Sequence, residues 1–299
     1  MRKNSKSKCL QMIVIAMLLT LFLVGCTSGE QESNDGASDN APPVTQEPSE
    51  NDGQDTGDGT NEGTLPEADE PSEITPDDNH NTTPNKKRVA LTFDDGPHNV
   101  HTKNIVDELA KYGAHATFFV IGDRVDGTSY NGRAGIEYAI ANGHEIGIHG
   151  YTHTKYYDRC SQGEYQYELT QTLAAIRSIS PSTEVNLMRP IGGSITSDRV
   201  ESCPYSVIMW DVDSEDWKNK YSSDDSDVQK QAKAELIANN ILSTVREGSI
   251  ILMHDIYPGT YDALVIVLER LYAEGYEVVT VSELLGSERA SGQKYYSGR

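Results

Sequence analysis

Between Thr27 and Asn85 the chain has no lysine, no arginine and almost no large apolar side chain. The missing apolar surface excludes a packed domain there, because such a segment cannot bury enough to offset the entropy of ordering it. The stretch is built instead from Gly, Pro, Ser, Thr and Asn, with sixteen of the chain's 46 acidic residues, Glu30, Glu32, Asp35 and Asp39 among them. A neutral flexible coil of this length spans on the order of 40–45 Å, and like charges stretch it further. Residues 26–85 therefore read as a disordered acidic tether; an acidic tail that binds a partner is the competing reading. A basic footprint is lacking as well. The formal charge is −21 at pH 7, and although much of it sits in the tether, the balance argues against nucleic acid as a partner. No internal repeat of the 20- to 50-residue kind is present, which leaves out repeat architectures.

Long hydrophobic runs are absent too. Met12–Val24 is almost wholly apolar, but its 13 residues fall short of a membrane span, which takes roughly 20. Preceded by Arg2, Lys3, Lys6 and Lys8, the run reads as an export signal over residues 1–25. It ends in Leu23-Val24-Gly25-Cys26, which resembles a bacterial lipobox. That resemblance implies cleavage before Cys26, a lipid on its sulfur, and a place on the outer face of the cell membrane. Cysteine is scarce, four in all. Cys9 leaves with the signal and Cys26 is the anchor. Cys160 and Cys203 remain, and an oxidising compartment permits them to pair. Sequence does not place their Cα atoms within bridging distance, so paired and free forms both stay open.

Residues 86–299 alternate short apolar runs with longer helical ones, and their length fits one domain. Strands are expected at Arg88–Phe93, Ala116–Ile121, His144–Ile148, Asn186–Arg189, Tyr205–Asp211, Ser249–Met253 and Glu277–Val281. Helices are expected at Val100–Tyr112, Ala134–Asn142, Gly163–Ile179, Thr196–Ser202, Asp227–Glu247 and Tyr261–Glu274, four of them followed by Gly113, Gly143, Gly248 and Gly275. This alternation predicts an α/β fold with about seven mainly parallel strands, as an incomplete barrel or an open sheet. In either, function collects at the carboxyl ends of the strands.

Titratable groups follow five of those runs. Asp94-Asp95 follows the first, His149-Gly150-Tyr151-Thr152-His153 the third, Arg189 closes the fourth, Asp213-Ser214-Glu215-Asp216-Trp217 follows the fifth, and His254-Asp255 the sixth. Two His four apart plus one carboxylate make a common set for a catalytic zinc with an open position, and Asp95 is the natural third ligand. Singly, each His is more often a surface or core residue. Two adjacent aspartates tolerate each other if each has its own cation: Asp95 a metal, Asp94 the guanidinium of Arg189. A solvated turn before Gly96-Pro97 is the plainer alternative.

Together these segments resemble the NodB-type polysaccharide deacetylases of carbohydrate esterase family four. Thr92–Gly96, His149–His153, Arg189–Gly193, Asp213–Trp217 and Leu252–His254 are similar to that family's five motifs and occur in its order. The resemblance implies a deformed (β/α) barrel and one divalent metal, usually zinc, held by Asp95, His149 and His153. It implies Asp94 as general base, His254 as general acid, Arg189 holding Asp94, and Asp216 orienting His254. Trp217 and Leu252 would line an acetyl pocket, and the N–H of Gly192 would help hold the oxyanion. Two positions depart from the family. Gly150 stands where a hydroxyl residue is usual, and Ile191-Gly192 where proline and an aromatic are usual, which puts the docking of the sugar in question.

The implied activity is hydrolysis of acetyl groups on N-acetylglucosamine-containing polysaccharide, peptidoglycan first given the membrane anchor, by an enzyme expected to be monomeric. An O-acetyl esterase of the xylan type is the enzymatic alternative, and a non-catalytic glycan-binding lipoprotein the alternative of another class. Tyr151, Tyr156 and Tyr157 are placed to stack on sugars, though the abundance of tyrosine, 16 in all, favours packing. Asp255 receives no role.

Overall fold

From Val89 onward every residue of β1 (Lys87–Asp94) is buried. A strand buried on both faces belongs in a parallel sheet covered by helices. The computed structural model, which describes residues 86–299, builds that sheet. After β1 come α1 (His101–Ala110), β2 (Thr117–Ile121), α2 (Gly122–Val125), α3 (Arg133–Ala141), β3 (Glu145–Gly150) and α4 (Gln162–Ile179). Then follow β4 (Leu187–Met188), a 3-10 turn (Ile191–Gly193), α5 (Ser197–Glu201), β5 (Ser206–Ile208), β6 (Val212–Asp213) and α6 (Asp227–Leu242). The chain closes with β7 (Ile250–His254), α7 (Pro258–Ala273), β8 (Tyr276–Val278), α8 (Val281–Leu285) and β9 (Lys294–Tyr295). The signal, lipobox and tether expected over residues 1–85 lie outside the described residues.

All strand pairings are parallel, in the order β6-β7-β1-β2-β3-β4-β5-β9, with β8 beside the start of β1. The fold is a curled parallel half-barrel, the deformed (β/α) barrel that the motifs imply. It has nine strands among the described residues rather than about seven. The run Tyr205–Asp211 is one apolar segment in sequence but two strands in space: β5 and β6 lie near opposite ends of the strand order. Between them Met209 donates to Tyr295 O at 2.7 Å and Asp211 to Ile250 O at 3.2 Å, so the chain changes partners within three residues. The short crossing brings the two margins of the sheet together.

Local chemistry fixes the helix starts. Ser161, Ser226 and Thr280 each close a capping box with the residue three positions on, and α7 begins at Pro258, which needs no N–H donor there. Phe93, Phe118, Ile148, Leu264 and Leu268 belong to one continuous core between sheet and helices; burying each stabilises the fold by about 1.5–3 kcal/mol.

Candidate active site

Register sets the site. In the β1/β7 pairing Asp94 stands opposite His254, so one strand end delivers a carboxylate beside an imidazole. In the β3/β4 pairing Ile148 stands opposite Met188, which places His149 beside Arg189 at the next position. The parallel direction of every strand puts these ends on one side, around a cavity of about 390 Å³. Asp94, Asp95, His149, His153, Gly192, Trp217, Leu252 and His254 all line it.

The adjacent aspartates part company at the backbone. Asp94 ends the strand, whereas Asp95 turns into the left-handed region at φ 71°, which aspartate tolerates better than most residues. Asp94 Oδ1 accepts from Arg189 Nη1 at 2.8 Å. Asp95 Oδ1 lies 3.0 Å from His153 Nε2 and 3.4 Å from His149 Nε2. Burial alone would raise the Asp95 carboxyl, but the two imidazoles hold it well below the usual carboxylate range.

Arg189 is wholly buried. Its guanidinium also donates to Thr92 Oγ1 at 2.7 Å, Ile208 O at 3.1 Å and Met209 O at 2.9 Å, and it sits 4.3 Å from the centre of the Phe119 ring. It binds the last residue of β5 and the first of the crossing, so the ion pair and the barrel seam share one side chain.

The donor set fits a divalent cation. Ligand atoms of Asp95, His149 and His153 all lie within 4.8 Å of one another. His149 Nδ1–H donates to Arg189 O at 2.8 Å, which leaves Nε2 as the free nitrogen of the neutral ring. Asp95 Oδ1 is buried without a well-formed hydrogen bond, although two imidazoles stand close. Burial opposes charge on His149, yet Asp94 and Asp95 raise its pKa. Those same carboxylates favour any cation at Nε2, proton or metal.

On the far side, Asp216 is buried and holds His254 twice, accepting from Nδ1 at 2.7 Å and from the backbone N–H at 2.8 Å; Thr260 Oγ1 donates to it at 2.7 Å. Asp213 Oδ1 accepts from Glu215 N at 2.8 Å, and Glu215 takes φ 54°, winding the loop so that Asp216 turns inward. Burial would lower the His254 pKa, but Asp216 first, then Asp94 and Asp95, raise it to about 9.

One residue escaped the sequence reading. Glu168 of α4 is buried and accepts from Tyr151 N and Thr152 N at 2.7 Å each, and from Thr152 Oγ1 at 2.8 Å. It fastens the loop between His149 and His153. A Cβ at Gly150 would lie 3.0 Å from Tyr157 Oη and 3.2 Å from Glu168 Oε2, so these groups fill the place of the usual hydroxyl side chain. The signal was present: Glu168 falls on the buried stripe of Tyr165, Leu169, Thr172 and Ile176. Cys160 and Cys203 are both free thiols. Asp255 is buried and accepts from Thr102 Oγ1.

A parallel half-barrel with two histidines, paired aspartates and a buried arginine at its strand ends has the residue set of a metal-assisted hydrolytic centre. The polysaccharide deacetylase family model matches residues 81–206, and the chain belongs to that family. It is 32% identical to a peptidoglycan-N-acetylglucosamine deacetylase of Bacillus cereus over 209 residues, 67% of this chain and 89% of the relative. With the peptidoglycan-N-acetylglucosamine deacetylase PgdA of Listeria monocytogenes it shares 32% identity over 212 residues, 70% of this chain but 41% of that protein. The chain thus matches about two fifths of that longer relative. Among solved structures, a family 4 acetyl xylan esterase from Clostridium thermocellum with a cobalt ion superposes at TM-score 0.59 and 31% identity, covering 71% of this chain and 98% of the esterase.

Proposed function

We propose that this chain is a metal-dependent hydrolase that removes acetyl groups from N-acetylglucosamine-containing polysaccharide, peptidoglycan first. The observation that carries the reading is the single cavity joining a two-His, one-Asp ligand set to Asp94 and His254 on adjacent strand ends. The names of its relatives support the substrate class. The signal at 1–25, lipid on Cys26, tether at 26–85 and catalytic domain at 86–299 complete the reading on sequence grounds, with the enzyme on the outer face of a bacterial membrane.

A divalent cation, zinc by family habit, held by Asp95, His149 and His153 would supply Lewis acidity toward the acetyl carbonyl and the attacking water. Asp94 is anchored through Oδ1, and its Oδ2, 3.8 Å from His149 Nε2, takes the proton from that water. Gly192 lines the cavity, and its backbone N–H is the donor assigned to the developing oxyanion. His254, its Nδ1 engaged by Asp216, gives a proton from Nε2 to the departing nitrogen, since an amine anion leaves poorly. Leu252 and Trp217 bound the acetyl group.

The test is acetate release by the full chain from N-acetylglucosamine oligomers, peptidoglycan and acetylated xylan in parallel, with and without chelator. Chelator-sensitive release from the amino-sugar substrates is expected. Release from xylan alone would move the chain to the esterases, a second reading that the cobalt-containing neighbour favours. Metal uptake without any release would favour the binding lipoprotein.

A pH profile follows from His254. Its acid form is the working form and its pKa is raised to about 9, so activity is lost as pH rises through about 9. Asp216→Asn removes the carboxylate that raises it, and the alkaline limb is expected to move down by about 1–3 units. A limb that stays in place in the variant would remove His254 as the acid.

A further inference from the structure

We propose that Tyr156 is the wall against which the acetylated sugar ring packs, filling from another loop the place that Gly192 leaves without a side chain. The inference rests on the deacetylase reading for its substrate and deepens it.

The segment carrying Tyr156 is fixed on both sides. Tyr157 bridges to Ile195, its ring is wholly buried against Tyr165 with centroids 5.0 Å apart, and its hydroxyl donates to His149 O at 3.2 Å. Tyr156 O accepts from Arg159 N at 3.2 Å and Cys160 N at 3.1 Å. The Arg199 guanidinium holds Tyr157 O, and Cys160 O at 2.6 Å. Tyr157 is buried in the core, whereas Tyr156 borders the cavity with 40% of its surface exposed.

Tyr156 crowds the place where a side chain at 192 would start. Gly192 has φ +59°, where an L side chain is strained, and a Cβ there would lie 3.1 Å from Tyr156 Cε1. The ring therefore lies against the backbone of the turn that carries the Gly192 N–H. Arg159 covers it with its guanidinium 4.8 Å from the centroid, holding the ring in place. Trp217, 44% exposed, borders the same cavity. Exposed aromatic surface beside hydrogen-bonding groups suits a pyranose, which offers C–H faces to rings and hydroxyls to polar neighbours.

The probe is the β-1,4-linked N-acetylglucosamine tetramer, used with the full metal-loaded chain. Tyr156→Ala is expected to raise KM about tenfold, with the loss in kcat/KM carried by KM. Tyr156→Phe, which keeps the ring, is expected to restore KM to within about twofold of wild type. Binding of the same tetramer, followed by tryptophan fluorescence, gives Kd independently of turnover, and thermal melting reports on folding. Acetate release with KM and Kd unmoved in Tyr156→Ala overturns the wall and keeps the catalytic reading. Binding weakened about tenfold in Tyr156→Ala, with no acetate released by wild type, keeps the wall and overturns the catalytic reading. A tetramer neither bound nor hydrolysed overturns both.

Discussion

An Asp94→Asn variant is expected to lose about 10²- to 10⁴-fold in kcat, the range that a positioned general base contributes, while taking up metal like the wild type. The side chains are nearly isosteric. An asparagine oxygen still accepts from Arg189 Nη1, which donates to Asp94 Oδ1 at 2.8 Å, so the anchor persists. What disappears is an atom able to take a proton from water. Asp95, His149 and His153 are untouched, and their ligand atoms within 4.8 Å of one another still form the set. Steady-state kinetics on N-acetylglucosamine oligomers and metal analysis of the same preparation check both halves. Turnover within a few-fold of wild type removes Asp94 as the base; lost metal means that the effect is not chemical.

Arg189→Met is expected to cost about 3–5 kcal/mol of folding stability as well as activity, the scale seen when one partner of a buried ion pair is removed. Methionine fills much of the volume, so the loss is electrostatic. Asp94 is left buried without its partner, and Thr92 Oγ1, Ile208 O and Met209 O lose a donor. Urea denaturation of the full chain, read at the barrel's transition, gives the value. A change below about 1 kcal/mol would mean that the guanidinium positions Asp94 without holding the seam. Asp94→Asn should cost less, since it leaves every donor of Arg189 a partner.

The site was legible because each motif residue follows an apolar run, and a parallel sheet sends all such ends one way. Asp94 opposite His254 and His149 beside Arg189 are matters of register, yet they follow once the strands are placed. The strand count was less legible. Val207 to Trp210 gives no break in hydrophobicity, and only the change of partner at Met209–Asp211 separates β5 from β6. β9 is a two-residue strand, Lys294–Tyr295, too short to carry a period. α2 and α8, of four and five residues, fail for the same reason. Tyr156 was one of three candidate tyrosines. Which of them reached the cavity depended on Tyr157 finding a core position, a tertiary fact that spacing does not encode.

Glu168 gives the molecule a site in two parts. Because Glu168 of a helix and the buried Tyr157 together fasten the ligand loop, the spacing of His149 and His153 belongs to the scaffold. Tyr156 itself, exposed at the edge of the cavity, takes no part in those hydrogen bonds and can be exchanged without touching them. The surface that meets a ligand and the hydrogen bonds that space the two histidines are thereby separately adjustable.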